Sequence, residues 1–218
     1  MNTANLISLT TPRGSVSQIQ IGSKVISINK PYEELEYIQS SGTQYINTGF
    51  KPTYQTRVVA DFQLTSAFSS FRSIFGTRAS TSATDSKRYL FNNSASKTLR
   101  SDYFGSGANQ STTITSETTR MTVDKNKNIT TVDGKTLTNT AVSSGTATYN
   151  LYLFCMNNAG STGYFSTMKL YSCQIYDNDV LVRDFIPVLW NETGEYGLYD
   201  KVNKEFYSNA GSGSFTGA

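Results

Sequence analysis

Histidine is absent from the 218-residue chain, and cysteine and proline are rare, at two and four residues. Without histidine the protein lacks the commonest general base and the usual partner of a serine or cysteine nucleophile. With no histidine and no C-x-x-C pair, we do not expect a transition-metal site. Cys155 and Cys173 each lie in an apolar stretch, so we expect two reduced thiols in the core. A disulfide across adjacent strands remains the alternative.

Long apolar runs and charge clusters are also missing. No stretch approaches the roughly 18 consecutive apolar residues of a membrane span, and the first residues are neither basic nor followed by an apolar signal core. The 19 basic and 16 acidic residues are interspersed, unlike the clustered Lys and Arg of a nucleic-acid-binding face. We therefore expect synthesis in a cytoplasm, with no membrane insertion and no nucleic-acid partner.

Aromatic residues and turn formers are abundant, with 14 Tyr, 12 Phe and 16 Gly. Residues 57–64 alternate between apolar and polar, which predicts a half-buried strand with Val58, Ala60, Phe62 and Leu64 on one face. Short strands separated by turn signals favour an all-β sandwich or barrel of one domain. Further strands are expected at residues 71–75, 88–91, 99–104, 119–124, 128–132, 135–138, 165–176, 180–186, 196–199 and 206–207.

Three local patterns refine this prediction. Asp133-Gly134 predicts a type I′ hairpin turn, because both of its central residues need positive φ, and residues 177–179 predict a polar turn. Residues 151–156 form a continuous apolar run, which favours one strand buried on both faces. Residues 32–35 form one helical turn at most.

The first thirty residues differ from the rest in having few aromatic side chains. Residues 18–28 predict two short strands around Gly22-Ser23. A two-stranded hairpin is marginal alone in water, so this unit either completes the main domain or docks on another subunit. Pro31 marks a boundary. We divide the chain into a docking segment, residues 1–31, and a sandwich domain, residues 32–218.

Several segments carry a resemblance to a known family. Residues 35–50 resemble the opening of a concanavalin A-like (laminin G-like) domain of phages and prophages of gut bacteria. The resemblance continues at residues 57–62, 75–78, 132–134, 169–176, 181–188, 197–200 and 204–209. It covers about 35–215 and implies a concanavalin A-like jelly-roll β-sandwich. The segment before it is similar to leaders that anchor such domains to a virion.

Hydrolases of this fold present paired carboxylates from one strand in a Glu-x-Asp-x-Glu or Glu-x-Asp-x-x-Glu pattern. No such pattern occurs among the seven glutamates, and Asp177 and Asp179, which share the spacing, fall in the expected turn. We therefore expect a binding protein rather than an enzyme.

Glycan binding needs an aromatic ring that stacks on a sugar, together with side chains that hydrogen-bond its hydroxyls. Residues in or beside predicted loops supply five candidates, each with burial or a turn role as the alternative: Trp190, Tyr103, Asn157, Asn158 and Tyr164. Oxygen-rich loops in related lectins make a calcium site conceivable, and its candidate ligands are Asp85, Asp102, Asn157 and Asn158. No other cofactor is expected.

The leading functional hypothesis is a phage virion protein on the capsid or tail. Residues 1 to about 30 would bind other virion proteins, and the domain would bind a host-surface glycan. A homo-oligomer, such as a trimer, would add avidity. The alternatives are a purely structural decoration protein without glycan binding and, less favoured, a glycan-processing enzyme.

Overall fold

The computed structural model describes residues 30–68, 70–80, 82, 87–105 and 110–218, and the backbone alone of residues 18–21, 24–27 and 109. All regular elements in these ranges are strands, and none is a helix able to span a membrane. In chain order they are β1 (Gln18–Ile21), β2 (Lys24–Ser27), β3 (Tyr32–Glu34), β4 (Ile38–Gln39), β5 (Ile46–Asn47), β6 (Thr56–Leu64), β7 (Arg72–Arg78), β8 (Tyr89–Ala95), β9 (Thr98–Asp102), β10 (Asn109–Thr113), β11 (Met121–Asn126), β12 (Ile129–Val132), β13 (Lys135–Thr138), β14 (Tyr152–Leu153), β15 (Met156–Asn158), β16 (Ser161–Gly163), β17 (Met168–Asp177), β18 (Val180–Trp190), β19 (Glu195–Asp200), β20 (Glu205–Tyr207) and β21 (Thr216–Gly217).

The strands form a small sheet, a large sheet and a separate two-stranded hairpin. The small sheet has the order β10-β9-β8-β7-β14-β5, with β15 and β16 beside β7. The large sheet has the order β13-β12-β11-β6-β17-β18-β19-β20, joined by β3, β4 and β21. Among the described strands, only β15 and β7 pair in parallel. The prediction of an all-β jelly-roll sandwich is confirmed.

The core lies between the facing surfaces of the two sheets. Val58, Ala60, Phe62 and Leu64 are each at most 1% exposed, which confirms the predicted inner face of β6. Phe62 meets Phe91 of the small sheet edge-on, with 6.1 Å between ring centroids. Burial of such side chains is the main stabilising contribution to a sandwich of this kind.

The predicted turns are present. Asp133 and Gly134 join β12 to β13 with φ of 50° and 67°, the left-handed conformation that a type I′ turn requires. Asn178 and Asp179 join β17 to β18 with φ of 49° and 63°. These turns fix the register of two hairpins in the large sheet.

The predicted hairpin in the first thirty residues is also present. β1 and β2 pair antiparallel from Gln18 opposite Ser27 to Ile21 opposite Lys24, as a sheet of their own. The predicted turn residues Gly22 and Ser23 lie outside the described residues. The docking role of this segment stays a prediction.

Two local predictions are wrong. Residues 151–156 do not form one strand, because Phe154 adopts a φ of 70° and its backbone N–H donates to the carbonyl oxygen of Ile74. The chain therefore bends around β7, antiparallel to it before Phe154 and parallel after it. Residues 32–35 begin with β3 instead of a helical turn, because Tyr32–Glu34 pairs with Val188–Trp190 of β18. A long-range ladder outweighs the weak helical preference of so short a segment.

The cysteine prediction is confirmed, since Cys155 and Cys173 are both free and buried. Burial raises the pKa of the Cys155 thiol far above its ordinary value and that of Cys173 to about 12. Both thiols therefore stay protonated and unreactive at neutral pH.

Candidate functional site

Tyr103 is not available at the surface. It is 2% exposed, and its hydroxyl donates to the carbonyl oxygen of Tyr54. Burial raises its pKa to about 12. Tyr103 was proposed to contact a ligand from a loop, and this prediction is corrected because the side chain packs in the core.

Asn157 is also withdrawn from the surface, at 3% exposure. Its Nδ2 donates to the carbonyl oxygen of Asn150 over 3.1 Å, and its Oδ1 accepts the backbone N–H of Gly160 over 3.0 Å. Both ends of the amide are therefore used to shape the turn between β15 and β16, which was the alternative expected for this residue.

Trp190 lies on the outer face of the large sheet, among rings that we call the outer aromatic cluster: Tyr32, Trp190, Tyr199 and Phe206. The indole stacks on Phe206 with 4.8 Å between centroids and an interplanar angle of 15°. Phe206 fits there because Gly197 has no side chain; a Cβ would come within 2.6 Å of the ring. Trp190 is half-buried by this packing.

Tyr164 and Asn158 meet on the opposite side of the molecule, at β7 of the small sheet. The Nε of Arg78 donates to Asn158 Oδ1 over 2.6 Å, and its Nη2 lies 3.3 Å from the Tyr164 hydroxyl. The guanidinium also lies over the Tyr164 ring, 5.3 Å from its centroid. Tyr164 is 38% exposed and packs edge-on against Phe71 at 5.0 Å. Two of the five ligand-binding residues predicted from the sequence, Asn158 and Tyr164, therefore lie in one cluster.

Strand alternation aligns further polar residues with this cluster. Phe75 and Phe91 point into the core, so the residues alternating with them point outward. We call this face of β7, β8 and β9, which points away from the core, the arginine face. Of its described residues only Arg78 and Arg100 are partly exposed, and the full set, with Arg88 just before β8, is Ser73, Gly76, Arg78, Arg88, Leu90, Asn92, Arg100 and Asp102. Gly76 is required at its centre because a Cβ there would lie 2.6 Å from the Cβ of Leu90.

Asp102 organises the charge on the arginine face. It is 2% exposed and accepts two hydrogen bonds from Arg100, from Nε over 2.7 Å and from Nη2 over 3.0 Å. The Nη1 of Arg88, whose side chain is 4% exposed, lies 3.9 Å from the same carboxylate. One carboxylate thus serves two guanidinium groups. Arg100 also contacts Phe71, whose ring centroid is 5.8 Å from its Cζ.

Two polar side chains between these arginines have unused hydrogen-bonding atoms. Asn92 is fully buried, and neither its Nδ2 nor its Oδ1 has a partner in the described part of the chain. Ser73 is its cross-strand neighbour and has an unpartnered Oγ. Buried polar groups are normally satisfied, and the exceptions call for an explanation. We call Asn92 and Ser73 the floor of the arginine face, and their buried, unpartnered atoms can donate and accept hydrogen bonds.

The candidate calcium ligands are not brought together as a site. Asp102 is committed to Arg88 and Arg100, Asn157 to the turn and Asn158 to Arg78. Asp85 lies outside the described residues. Among the described residues no group of three or more His, Cys, Asp or Glu side chains could hold a metal ion.

Sequence reasoning missed Arg78, Arg88, Asn92 and Arg100 as site residues. A usable signal was present: Arg88, Leu90 and Asn92, and then Arg100 and Asp102, alternate with apolar core residues. Polar residues at a period of two indicate an outward face. The sequence alone does not show that β7, β8 and β9 lie side by side.

No protein-family model and no curated protein matches this chain. Several solved structures do. A protein of Bacteroides ovatus, provisionally assigned as a carbohydrate binding protein, is 11% identical and covers 85% of this chain with a TM-score of 0.54. This chain covers 60% of that protein, less than two thirds of its length. The likeness shows a shared β-sandwich fold.

Two sialidase structures are more distant. The CBM40 of a Ruminococcus gnavus sialidase, bound to α2,3-sialyllactose, is 12% identical and covers 70% of this chain and 91% of its own, with a TM-score of 0.47. The NanB sialidase of Streptococcus pneumoniae is 9% identical and covers 84% of this chain and 40% of its own, with a TM-score of 0.46.

Proposed function

We propose that this protein is a bacteriophage virion component, a capsid or tail appendage that attaches to host-surface glycans through the arginine face and Tyr164. The observation that carries the glycan part is the cluster of Arg78, Asn158 and Tyr164. It combines a partly exposed ring with oriented donors, as sugar recognition requires. The shared fold with the Bacteroides ovatus protein supports this function by analogy.

The site chemistry favours binding over catalysis. Asp102 is the carboxylate among the described residues of the arginine face, and it is paired with two guanidinium groups. Glycoside hydrolysis generally needs a second carboxyl group, about 5 to 10 Å away, that can carry a proton. Incubation of the protein with host capsular polysaccharide should therefore release no new reducing ends, and their release would support an enzyme instead.

The virion part of the proposal rests on the resemblance of residues 35–215 to phage-encoded domains. In this account residues 1–31 bind another capsid or tail protein, and a homo-oligomer such as a trimer raises avidity from weak sites. Gold-labelled antibodies against the chain should decorate intact phage particles. Particles assembled with a chain that lacks residues 1–31 should carry no label, and normal labelling would contradict the anchor.

The glycan part is tested by a glycan array probed with the full chain and with two variants. Tyr164→Ala removes the exposed ring, and Tyr171→Ala removes a partly buried ring from the large sheet. We expect Tyr164→Ala to abolish array signals that Tyr171→Ala retains. Equal signals from both variants would show that the glycan binds elsewhere.

A purely structural decoration protein is the second candidate function, and the outer aromatic cluster favours it. Tyr32, Trp190 and Phe206 are only partly buried and lie where the chain leaves residues 1–31. Such a cluster suits contact with another virion subunit. If the array stays silent while Trp190→Ala blocks assembly into particles, this candidate replaces the first.

A further inference from the structure

We infer that the glycan recognised by the arginine face is acidic, a carboxylate-bearing oligosaccharide of hexuronic or nonulosonic acid units. This inference rests on the proposed glycan binding and specifies its substrate class. It is carried by the charge, orientation and spacing of Arg78 and Arg100 and by the unpartnered atoms of Asn92 and Ser73.

The described residues of the arginine face carry more positive than negative charge. In the described part of the arginine face, Arg78, Arg88 and Arg100 stand against the single carboxylate of Asp102. Burial of guanidinium groups is costly unless anions compensate it. Asp102 compensates for the buried Arg88 and one edge of Arg100, which leaves a net positive charge on the described residues of the face. A neutral sugar gains little from this charge, whereas an anion is attracted by it.

Neighbouring side chains orient the two outer arginines. Asn158 accepts a hydrogen bond from the Nε of Arg78, and the Tyr164 ring lies against its guanidinium. In the same way Asp102 accepts from the Nε of Arg100, and the Phe71 ring lies against that guanidinium. None of the hydrogen bonds in the described ranges uses the Nη1 of either residue. The Arg100 side chain is 26% exposed. Each guanidinium therefore offers a preorganised donor edge, the geometry that binds carboxylates well.

Arg78 and Arg100 lie well apart on the arginine face. Arg78 lies five residues beyond Ser73 in β7, an offset that the bulge between Ser73 and Phe75 shortens to about four residues along β8. Ser73 pairs with Asn92, which pairs with Arg100 in β9. Two strand spacings and this offset place the two arginine Cα atoms roughly 16 Å apart. Each guanidinium contacts a different ring of the Phe71–Tyr164 pair, Arg100 that of Phe71 and Arg78 that of Tyr164. An oligosaccharide can contact both arginines, with its middle sugar over this ring pair.

The floor supplies the neutral contacts. Sugar hydroxyl groups both donate and accept, so they can satisfy Asn92 Nδ2, Asn92 Oδ1 and Ser73 Oγ together. These atoms are fully buried in the free protein, so a sugar reaches them only when the side chains around them move.

The test uses the full chain and glycans in matched pairs, first on an array and then by calorimetry. Tetragalacturonate and a tetramer of N-acetylneuraminic acid are compared with their carboxyl-reduced forms, and the two acids separate the hexuronic from the nonulosonic source. We expect at least one acid to bind about tenfold more tightly than its reduced form. Its affinity should fall as NaCl rises from about 50 to about 300 mM.

Variants locate the effect. Arg78→Gln should lower the affinity for the acid about tenfold more than it lowers the affinity for the reduced form, because only the acid loses a charge pair. Arg120→Gln is the matched control: it removes the same charge from a 47% exposed arginine paired with Asp61 on the large sheet. Circular dichroism and the melting temperature verify that both variants fold.

The outcomes separate this inference from the proposed function. If reduced and acidic glycans bind equally and Arg78→Gln matches Arg120→Gln, the acidic class is wrong while glycan binding stands. If no glycan on the array binds, neutral or acidic, the proposed function falls and the inference falls with it.

Discussion

Lys125 provides the sharpest test of the core. It is fully buried on the inner face of β11, and its Nζ donates to Ser101 Oγ over 2.7 Å. The ammonium group lies 4.7 Å from the ring centroid of Tyr89 and 5.5 Å from that of Tyr103. Desolvation lowers its pKa from 10.5 to about 7, against the opposing effect of Asp102. Desolvation thus outweighs the attraction of Asp102 for the ammonium charge.

The effect of this pKa shift on the free energy of unfolding follows from the difference in proton binding between the folded and the unfolded chain. Below about pH 7 both the folded and the unfolded chain carry the proton, so the full penalty applies; at about 1.4 kcal/mol per pKa unit it is about 5 kcal/mol. Between pH 7 and 10.5 the unfolded chain binds the proton and the folded chain does not, so this group makes the protein more stable as the pH rises. At about pH 9 the remaining penalty is about 2 kcal/mol.

Lys125→Met removes the penalty and loses a hydrogen bond worth about 1 kcal/mol. We expect the variant to exceed the wild type in free energy of unfolding by about 4 kcal/mol near pH 6 and by about 1 kcal/mol near pH 9. Urea unfolding followed by circular dichroism at both pH values measures this. Lys127→Met is the matched control, because it makes the same substitution at a 39% exposed lysine paired with Asp179. A Lys125→Met gain that does not change with pH would refute the reasoning.

Three further predictions concern other parts of the fold. Asn92→Leu should raise the free energy of unfolding by about 1 to 3 kcal/mol, because it removes unpartnered buried atoms, and should weaken glycan binding; a lower melting temperature would count against an unsatisfied amide. Phe215→Ala should lower the free energy of unfolding by about 3 to 5 kcal/mol in urea titrations, since Phe215 is 2% exposed and packs 4.8 Å from Phe154; a change below about 1 kcal/mol would mean that the C-terminal strand is not docked. Cys155 and Cys173 should resist Ellman's reagent near neutral pH until denaturant is added, and rapid labelling of the native protein would contradict their burial.

The sequence predicted most of the fold because its signals were local. Val58 to Leu64 alternate strictly, and Asp133-Gly134 can adopt few conformations other than the turn it forms. The break at Phe154 was not predictable in this way, because it depends on the contact of its N–H with Ile74, a residue eighty positions earlier. The buried position of Lys125 is likewise set by the tertiary packing of two tyrosine rings.

The candidate site was predicted only in part for the same reason. Tyr164 and Asn158 were found because they lie near predicted loops, where ligand contacts concentrate. Arg78 and Arg100 join them only when β7, β8 and β9 are laid side by side, and Tyr103 leaves the set once its ring is seen in the core. Sheet order is the information that a single sequence does not carry.

The central claim is that the outer face of the small sheet binds host-surface glycan. Its most direct test is amide chemical-shift mapping of the isotope-labelled full chain during titration with oligosaccharides released from the host surface. The account predicts shifts concentrated at residues 71–78, 88–102 and 158–164. Shifts concentrated around Trp190 and the outer aromatic cluster, or no shifts at saturating ligand, would contradict it.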